Sequence, residues 1–331
     1  MAKPTVLVTG GAGFIGSHVA NELVHAGKTV IILDDLSGGF KRNLPQGCHF
    51  VQGSILDVEL IDQLFKEHQF DYVFHLAAYA AEGLSHFIRR FNYSNNIIGS
   101  INLINASVKY NIKRFVFTSS IAVYGSGQIP FSETDIPQPE DPYGIAKLAV
   151  ELDLKAAHEQ FGLDYTIFRP HNVYGIGQNL SDPYRNVIGI FMRQLLSNQP
   201  LTIFGTGEQT RAFTPIKSVS ISIAKCITLP NTKNEIYNLG GNATNSINEL
   251  VEMLFELNGK RGVIQYIEAR NEVVHALSSH QKADNDFGKS TYISLHAGLK
   301  EVWAWAKKTE IKNPASFNDI EINRGVPKNW E

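Results

Sequence analysis

The run Gly10-Gly11-Ala12-Gly13-Phe14-Ile15-Gly16 restricts what this chain can fold into more than any other feature. It directly follows an apolar stretch, residues 5–9, and opens an amphipathic one, residues 14–26. That succession predicts a strand, a tight turn and a helix. The glycines permit the turn and let the backbone come close to a pyrophosphate, which then sits at the positive end of the helix. A second apolar run, residues 30–33, stops at Asp34-Asp35. A carboxylate about 20 residues after such glycines accepts hydrogen bonds from the adenosine ribose. It also repels a 2′-phosphate, and Asp35 adds to the repulsion, so the pattern points to NAD rather than NADP.

Strand and helix signals continue to alternate: strands at 49–52, 72–76, 115–118 and 165–168, helices at 59–67, 97–108 and 143–161. Strands separated by helical stretches indicate βαβ units, hence an α/β chain with a Rossmann-type doubly wound parallel sheet. After Arg169-Pro170 the texture changes, with breaks at Gly177, Asp182-Pro183, Pro200 and Gly205-Thr206-Gly207. We therefore expect a cofactor-binding domain over 1–170. A smaller ligand-binding region over 171–331 should follow, with some chain crossing back to the sheet. At 331 residues and 43% hydrophobic, a large core is within reach.

Thirty basic residues balance 32 acidic ones, so there is no electrostatic reason to expect nucleic acid or an anionic membrane. Cys48 and Cys226 lie far apart with no CxxC neighbour, which points to two reduced thiols and no metal site. No apolar run reaches the roughly 20 residues a bilayer demands. Strand-like Thr5-Val6-Leu7-Val8 leaves no room for a signal peptide, so the expected location is cytoplasmic.

Thr118-Ser119-Ser120 closes an apolar strand, and Tyr143-Gly144-Ile145-Ala146-Lys147 opens a helix with Tyr and Lys on one face. A tyrosine with a pKa of about 10 is a poor base. A neighbouring ammonium and a cationic nicotinamide both favour the phenolate, so a lowered pKa is expected. Tyr143 would then take a hydroxyl proton as hydride leaves the same carbon, with Ser120 holding the hydroxyl.

On these residues the chain resembles the extended short-chain dehydrogenase/reductases, the NAD-dependent epimerases and dehydratases of nucleotide sugars, over almost its whole length. Within them it is most similar to the UDP-glucose/UDP-galactose 4-epimerases. The matching stretches are 9–18, 34–36, 75–78, 95–100, 117–125, 141–147 and 169–175. The resemblance implies cofactor contacts at Ser37, Ser54, Ile55, Leu76, Thr118 and Pro170 as well. It puts Ala77 and Ala78 under the nicotinamide side, Asn95 as a brace for the active-site serine loop, and Lys147 on the nicotinamide ribose. It implies substrate contacts at Asn172, Asn186, Val187 and Thr202, with Phe204 against the uracil. Arg211 and Arg270 would hold the diphosphate, which suits two bidentate guanidinium groups. A homodimer packed through helices 97–110 and 143–161 is a further implication.

Four places depart from the family pattern. Ser54 stands where an acid is common, Ala80 where a lysine is common, and Arg270-Asn271-Glu272 is shorter than Arg-x-Gly-Asp. Thr214-Pro215-Ile216-Lys217-Ser218 replaces an aromatic and an Asp-Asp pair, leaving Ser218 as a cap for the next helix.

The reaction is read from what is missing around Ser120. Dehydratases and decarboxylases of the family carry acids before Val-Tyr-Gly, whereas this chain has Ile121-Ala122 before Val123-Tyr124-Gly125. Oxidation at C4, turning of the keto sugar and hydride return remain, which is 4-epimerisation of a UDP-sugar. The alternatives are a 4-epimerase of UDP-glucuronate or a UDP-N-acetylhexosamine, with Arg185 meeting a C6 carboxylate, and a catalytically silent NAD-binding regulator. His75 reads as structural, His171 as equally a sugar contact or packing, and Trp303 and Trp305 as core.

Overall fold

Val6, Leu7 and Val8 are each 0% exposed, so the first strand is covered on both faces. Burial of successive residues is the mark of a parallel sheet between two helical layers. The computed structural model describes residues 3–269, 273–289, 293–311, 320–327 and 330, and shows that arrangement. β1 (Thr5–Thr9) leads through the glycine turn into α1 (Phe14–His25), β2 (Thr29–Asp34), β3 (His49–Gln52), α2 (Val58–His68) and β4 (Tyr72–His75). Short helices α3 (Glu82–Ser85) and α4 (Arg89–Tyr93) run through a π-helical turn, Ser94–Ile98, into α5 (Gly99–Lys109). β5 (Arg114–Thr118), α6 (Pro142–Phe161) and β6 (Tyr165–Pro170) follow.

Beyond them come β7 (Val173–Tyr174), α7 (Val187–Leu196), β8 (Leu201–Phe204), β9 (Thr210–Ala212), β10 (Thr214–Pro215) and α8 (Ile216–Lys225). The chain continues through β11 (Glu235–Leu239), β12 (Thr244–Ser246), α9 (Ile247–Asn258) and β13 (Ile264–Ile267). β14 (His275–Ala276), α10 (Gln281–Phe287) and α11 (Leu295–Ala306) complete the order.

Seven strands form one parallel sheet in the order β11-β6-β5-β4-β1-β2-β3. Leu7, Ile31 and Leu33 pack on one face against Leu64, Leu103 and Val150 of α2, α5 and α6. Val6, Val8 and Ile32 pack on the other against Val19, Leu23 and Ile223 of α1 and α8. Thus β11 and α8, both from the second half of the chain, return to the sheet. A separate core joins Ile188, Phe191, Leu201, Ile203, Leu254 and Trp303. Trp303 is buried there as core, while Trp305 is half-buried. Strand order reverses between β1 and β4, and that crossing opens a crevice at the strands' C-terminal ends.

Two local expectations change. The helix expected from residue 97 is entered at residue 89 through the π turn. Ser218 does not cap α8: the helix starts at Ile216 with Pro215 as its N-cap, and Ser218 lies within it, its carbonyl accepting from Ser222 Oγ at 3.1 Å. Proline's fixed φ and the pairing of Thr214-Pro215 with β7 start the helix earlier. No helix among the described residues is long and apolar enough to cross a membrane.

Candidate active site

Gly10 adopts φ +71°, and a Cβ there would stand 2.6 Å from the Ala77 amide nitrogen. The turn therefore presses against the end of β4, which only glycine allows. α1 begins with Gly13 as its N-cap and no side-chain cap, leaving the positive helix end for an anion. Gly10, Gly13, Phe14, Ile15 and Gly16 form one wall of a cleft of about 370 Å³. Asp34, Asp35 and Ser37 close one end of it, and Ile55, Leu76, Ala77, Ala78 and Asn95 line it as well. Asp34 is held by Ala12 N–H to Oδ2 at 3.0 Å and Leu36 N–H to Oδ1 at 2.8 Å. Burial nonetheless pushes its carboxyl up, against those two bonds. Each oxygen keeps a lone pair for a ribose hydroxyl. Thr118 Oγ1 is buried in the same cleft without a hydrogen-bond partner in the protein. The walls, the open helix end and this hydroxyl suit a dinucleotide.

At the other end of the cleft lie Thr118, Ser120, Tyr143, Lys147 and Pro170. α6 starts where Asp141 Oδ1 accepts from the Tyr143 and Gly144 amides at 2.9 and 3.0 Å, with Pro142 in the first turn. A Cβ on Gly144 would stand 2.6 Å from the Ala122 carbonyl oxygen, so the missing side chain lets α6 lie against the serine turn. Tyr143 thereby lines the cleft together with Ser120, whose Oγ accepts from the Ala122 amide at 3.2 Å. One helical turn on, Lys147 Nζ donates to the Thr118 carbonyl at 2.9 Å, 4.7 Å from the Phe117 ring centre and 5.8 Å from that of Tyr143.

In the protein by itself burial pushes the Tyr143 hydroxyl up, with Glu82 and Asp141 acting in the same sense; Ser120 and Arg185 pull the other way. Lys147 is pushed down to about 7 by burial, opposed by Glu151. For both groups burial is the largest influence in the protein by itself.

Asn172 and Asn186 both sit at left-handed φ, +43° and +60°, and line the cleft with Val187. Asparagine tolerates that conformation better than most residues. Arg185 lines it too, donating from Nε to Asp182 Oδ2 at 2.6 Å and lying 4.8 Å from the Tyr79 ring centre.

Four expected contacts do not line this cleft, and a fifth lies outside the described residues. Ser54 turns its hydroxyl back to accept from the Leu56 amide at 3.1 Å, while its neighbours Gly53 and Ile55 line the wall. Thr202 is tied to Gln194, joining β8 to α7. Phe204 packs with Trp330 at 6.3 Å between ring centres. Arg211 Nη1 donates to the carbonyls of Thr210 and Val274, both at 2.9 Å. Arg270 falls outside the described residues.

Neither Asn95 nor Asn96 hydrogen-bonds to the serine turn; Asn96 braces the segment after β4 instead. It accepts from the Tyr79 amide at 2.9 Å and donates to the Tyr79 carbonyl and to Asn92 Oδ1. The π turn carries the extra residue that rotates Asn95 to the cleft, where its amide donates to the Phe91 carbonyl at 3.0 Å. His75 is structural: Ser100 Oγ gives its proton to the Asn96 carbonyl, so it accepts from Nε2–H, and Nδ1 accepts from Thr9. His171 is packing: it is 1% exposed, with its ring stacked on His280. Glu82, Tyr79 and Gln178 also line the cleft and carry no signal in the sequence read alone.

Comparison with known proteins agrees with this geometry. The model of the NAD-dependent epimerase/dehydratase family matches residues 6–240. A UDP-glucose 4-epimerase of Halalkalibacterium halodurans is 31% identical over 321 residues, covering 92% of this chain and 96% of its own. The crystal structure of UDP-glucose 4-epimerase with UDP-glucose from Thermotoga maritima superposes with a TM-score of 0.85 at 36% identity, covering 92% of this chain and 99% of that one. A Bacillus cereus UDP-glucuronic acid 4-epimerase, in complex with UDP-glucuronic acid and NAD, gives 0.85 at 29% identity, with coverage of 92% and 99%.

Proposed function

The chain belongs to the NAD-dependent epimerase/dehydratase family, and from that premise we propose that it is a UDP-hexose 4-epimerase interconverting UDP-glucose and UDP-galactose. The observation that carries this reading is the gathering of Ser120, Tyr143 and Lys147 in one cleft wall, next to a turn whose Ile121 and Ala122 offer no second acid or base. NAD supplies the hydride acceptor at C4 and then the hydride donor. Ser120 holds the C4 hydroxyl, and Tyr143 takes its proton and later returns it. Lys147, fixed on the Thr118 carbonyl, offsets the cost of forming a phenolate in so buried a place. Turning of the keto sugar between the two hydride transfers needs no further group from the protein.

The engagement of Arg185 by Asp182 favours a neutral C6 group over a carboxylate. A second reading, epimerisation of UDP-glucuronate, rests on Arg185 being in the cleft wall at all. We read the enzyme as a cytoplasmic homodimer. Ile145 and Leu152 of α6 are 40% and 55% exposed and Ile98 of the π turn 50%, apolar surface that a second copy would cover.

The test is incubation of purified protein with UDP-, dTDP- and GDP-sugars and separation of the products, without added reductant. Interconversion of UDP-glucose and UDP-galactose is expected. Turnover of UDP-glucuronate alone would transfer the assignment to the second reading, and no turnover of any sugar would overturn both.

A further inference from the structure

Behind the reaction centre lies a buried ion pair that the proposed chemistry does not use. Glu151 stands on α6 one turn beyond Lys147 and two beyond Tyr143, and is 1% exposed. Its Oε1 accepts from Ser119 Oγ at 2.5 Å and from Arg169 Nε at 3.0 Å; its Oε2 accepts from Arg169 Nη2 at 2.5 Å. Arg169 Nη1 donates to Tyr124 Oη at 2.7 Å, and that hydroxyl donates to Asn238 Oδ1 at 2.8 Å. Ser119 and Arg169 are themselves 3% and 2% exposed. A buried ion pair is a poor way to gain stability, because well-packed apolar residues of the same volume serve as well or better. Its neighbours give another reason for it. Ser119 sits between Thr118, whose carbonyl holds Lys147, and Ser120, which meets Tyr143. Arg169 precedes Pro170 in the cleft wall.

We propose that Glu151 and Arg169 are positioning residues for the reaction. The carboxylate ties the Ser119-Ser120 turn to the helix that bears Tyr143 and Lys147. This rests on the epimerase reading for its kinetic consequence but not for its geometry. The charged and titratable groups that face Lys147 are Tyr143 and Glu151 from α6 and His75 from β4, with Arg169 of β6 on the Glu151 carboxylate. Among these Glu151 is the one carboxylate. Burial drives Lys147 toward neutrality, and Glu151 opposes it. Without that carboxylate the Arg169 cation is left uncompensated nearby, and Lys147 gives up its proton at lower pH.

The experiment uses the full chain with its NAD, checked by thermal melting and by the nucleotide released on denaturation. Ser119→Ala cuts only the tie to the turn. Its kcat should fall about tenfold or more with KM and the pH profile unchanged, since misplacement of about 1 Å costs up to 10²-fold. Glu151→Gln removes the charge. Its kcat should fall further, and the alkaline limb of the pH–rate profile should move down by about one unit. If Glu151→Gln does not fold, the double variant with Arg169→Met removes the stranded cation and is read instead. Amide exchange over residues 118–124 gives a measure independent of any substrate and should speed up in Ser119→Ala and in the Glu151 variant. An active parent whose Glu151 variant keeps its pH limb, or unchanged exchange in both variants, would overturn the proposal. A parent inactive on UDP-sugars whose exchange responds as stated would overturn the epimerase reading instead.

Discussion

Arg185 donates from Nε to Asp182 Oδ2 at 2.6 Å, in the wall of the cleft, with its guanidinium against the Tyr79 ring. A cation already matched by a carboxylate has little left for a second one, because an incoming uronate would compete with Asp182 for the same fork. We expect Arg185→Ala to lower turnover of UDP-glucose by less than about tenfold, the equivalent of about 1.4 kcal/mol. UDP-glucuronate should suffer no selective loss. Kinetics on both sugars decide it: a selective collapse on UDP-glucuronate would restore the carboxylate role.

Asp34 accepts two backbone amides and faces the cleft. The parent protein, denatured, should release mainly NAD. Asp34→Ser removes the charge that a 2′-phosphate would meet, and the ratio of NAD to NADP bound should fall by about tenfold or more, the scale of one charge-assisted bond. Release of mainly NADP from the parent would remove the ribose role from Asp34.

Three buried histidines make the fold acid-sensitive. Burial holds His75 and His171 down to about 3 and His280 down to about 4. The unfolded chain titrates them near 6.5, so it binds protons that the folded chain refuses. Stability is therefore intact above about pH 6.5 and declines as pH falls toward 4, by roughly 2 kcal/mol per histidine at pH 5. Urea midpoints at pH 8, 6.5 and 5 should show the decline. A flat midpoint across that range would mean the three rings are protonated in the folded state.

The parallel sheet was readable because its strands are short apolar runs between helical patterns, and β1 to β6 fall where those runs stand. The start of α6 was readable for a similar reason: Asp141-Pro142 is a cap followed by a first-turn proline. What escaped depends on contacts between distant segments. Phe204 lies in an aromatic cluster with Tyr184 and Trp330, and nothing local foretells that pairing. The placing of Asn95 at the cleft and of Asn96 on the Tyr79 segment depends on a π turn, which no apolar periodicity announces. Glu151 looks like a solvated helix charge until Arg169 and Ser119 are brought to it from other elements. For Tyr143, spacing reveals a neighbouring lysine but not the depth of burial, which in the protein by itself pushes the phenol up.

Tyr143 is where the proposed mechanism is most exposed to test. Tyr143 is 6% exposed and lines the cleft beside Ser120. Tyr143→Phe keeps the ring and its packing, so the melting temperature should change little. The glycine turn and Asp34 are untouched, so NAD should stay bound. The one thing lost is the group assigned to take the C4 hydroxyl proton, and burial has already made that group a reluctant acid whose ionisation depends on Lys147 and Ser120. General acid–base catalysis is worth about 10²–10⁴-fold, and the rate should fall by at least that order. The fall should appear in kcat rather than KM, because the proton moves only on the way to the transition state. A Tyr143→Phe protein that folds, holds NAD and epimerises within about tenfold of the parent would hand the base role to another residue of the cleft, with Glu82 the first to be replaced in turn.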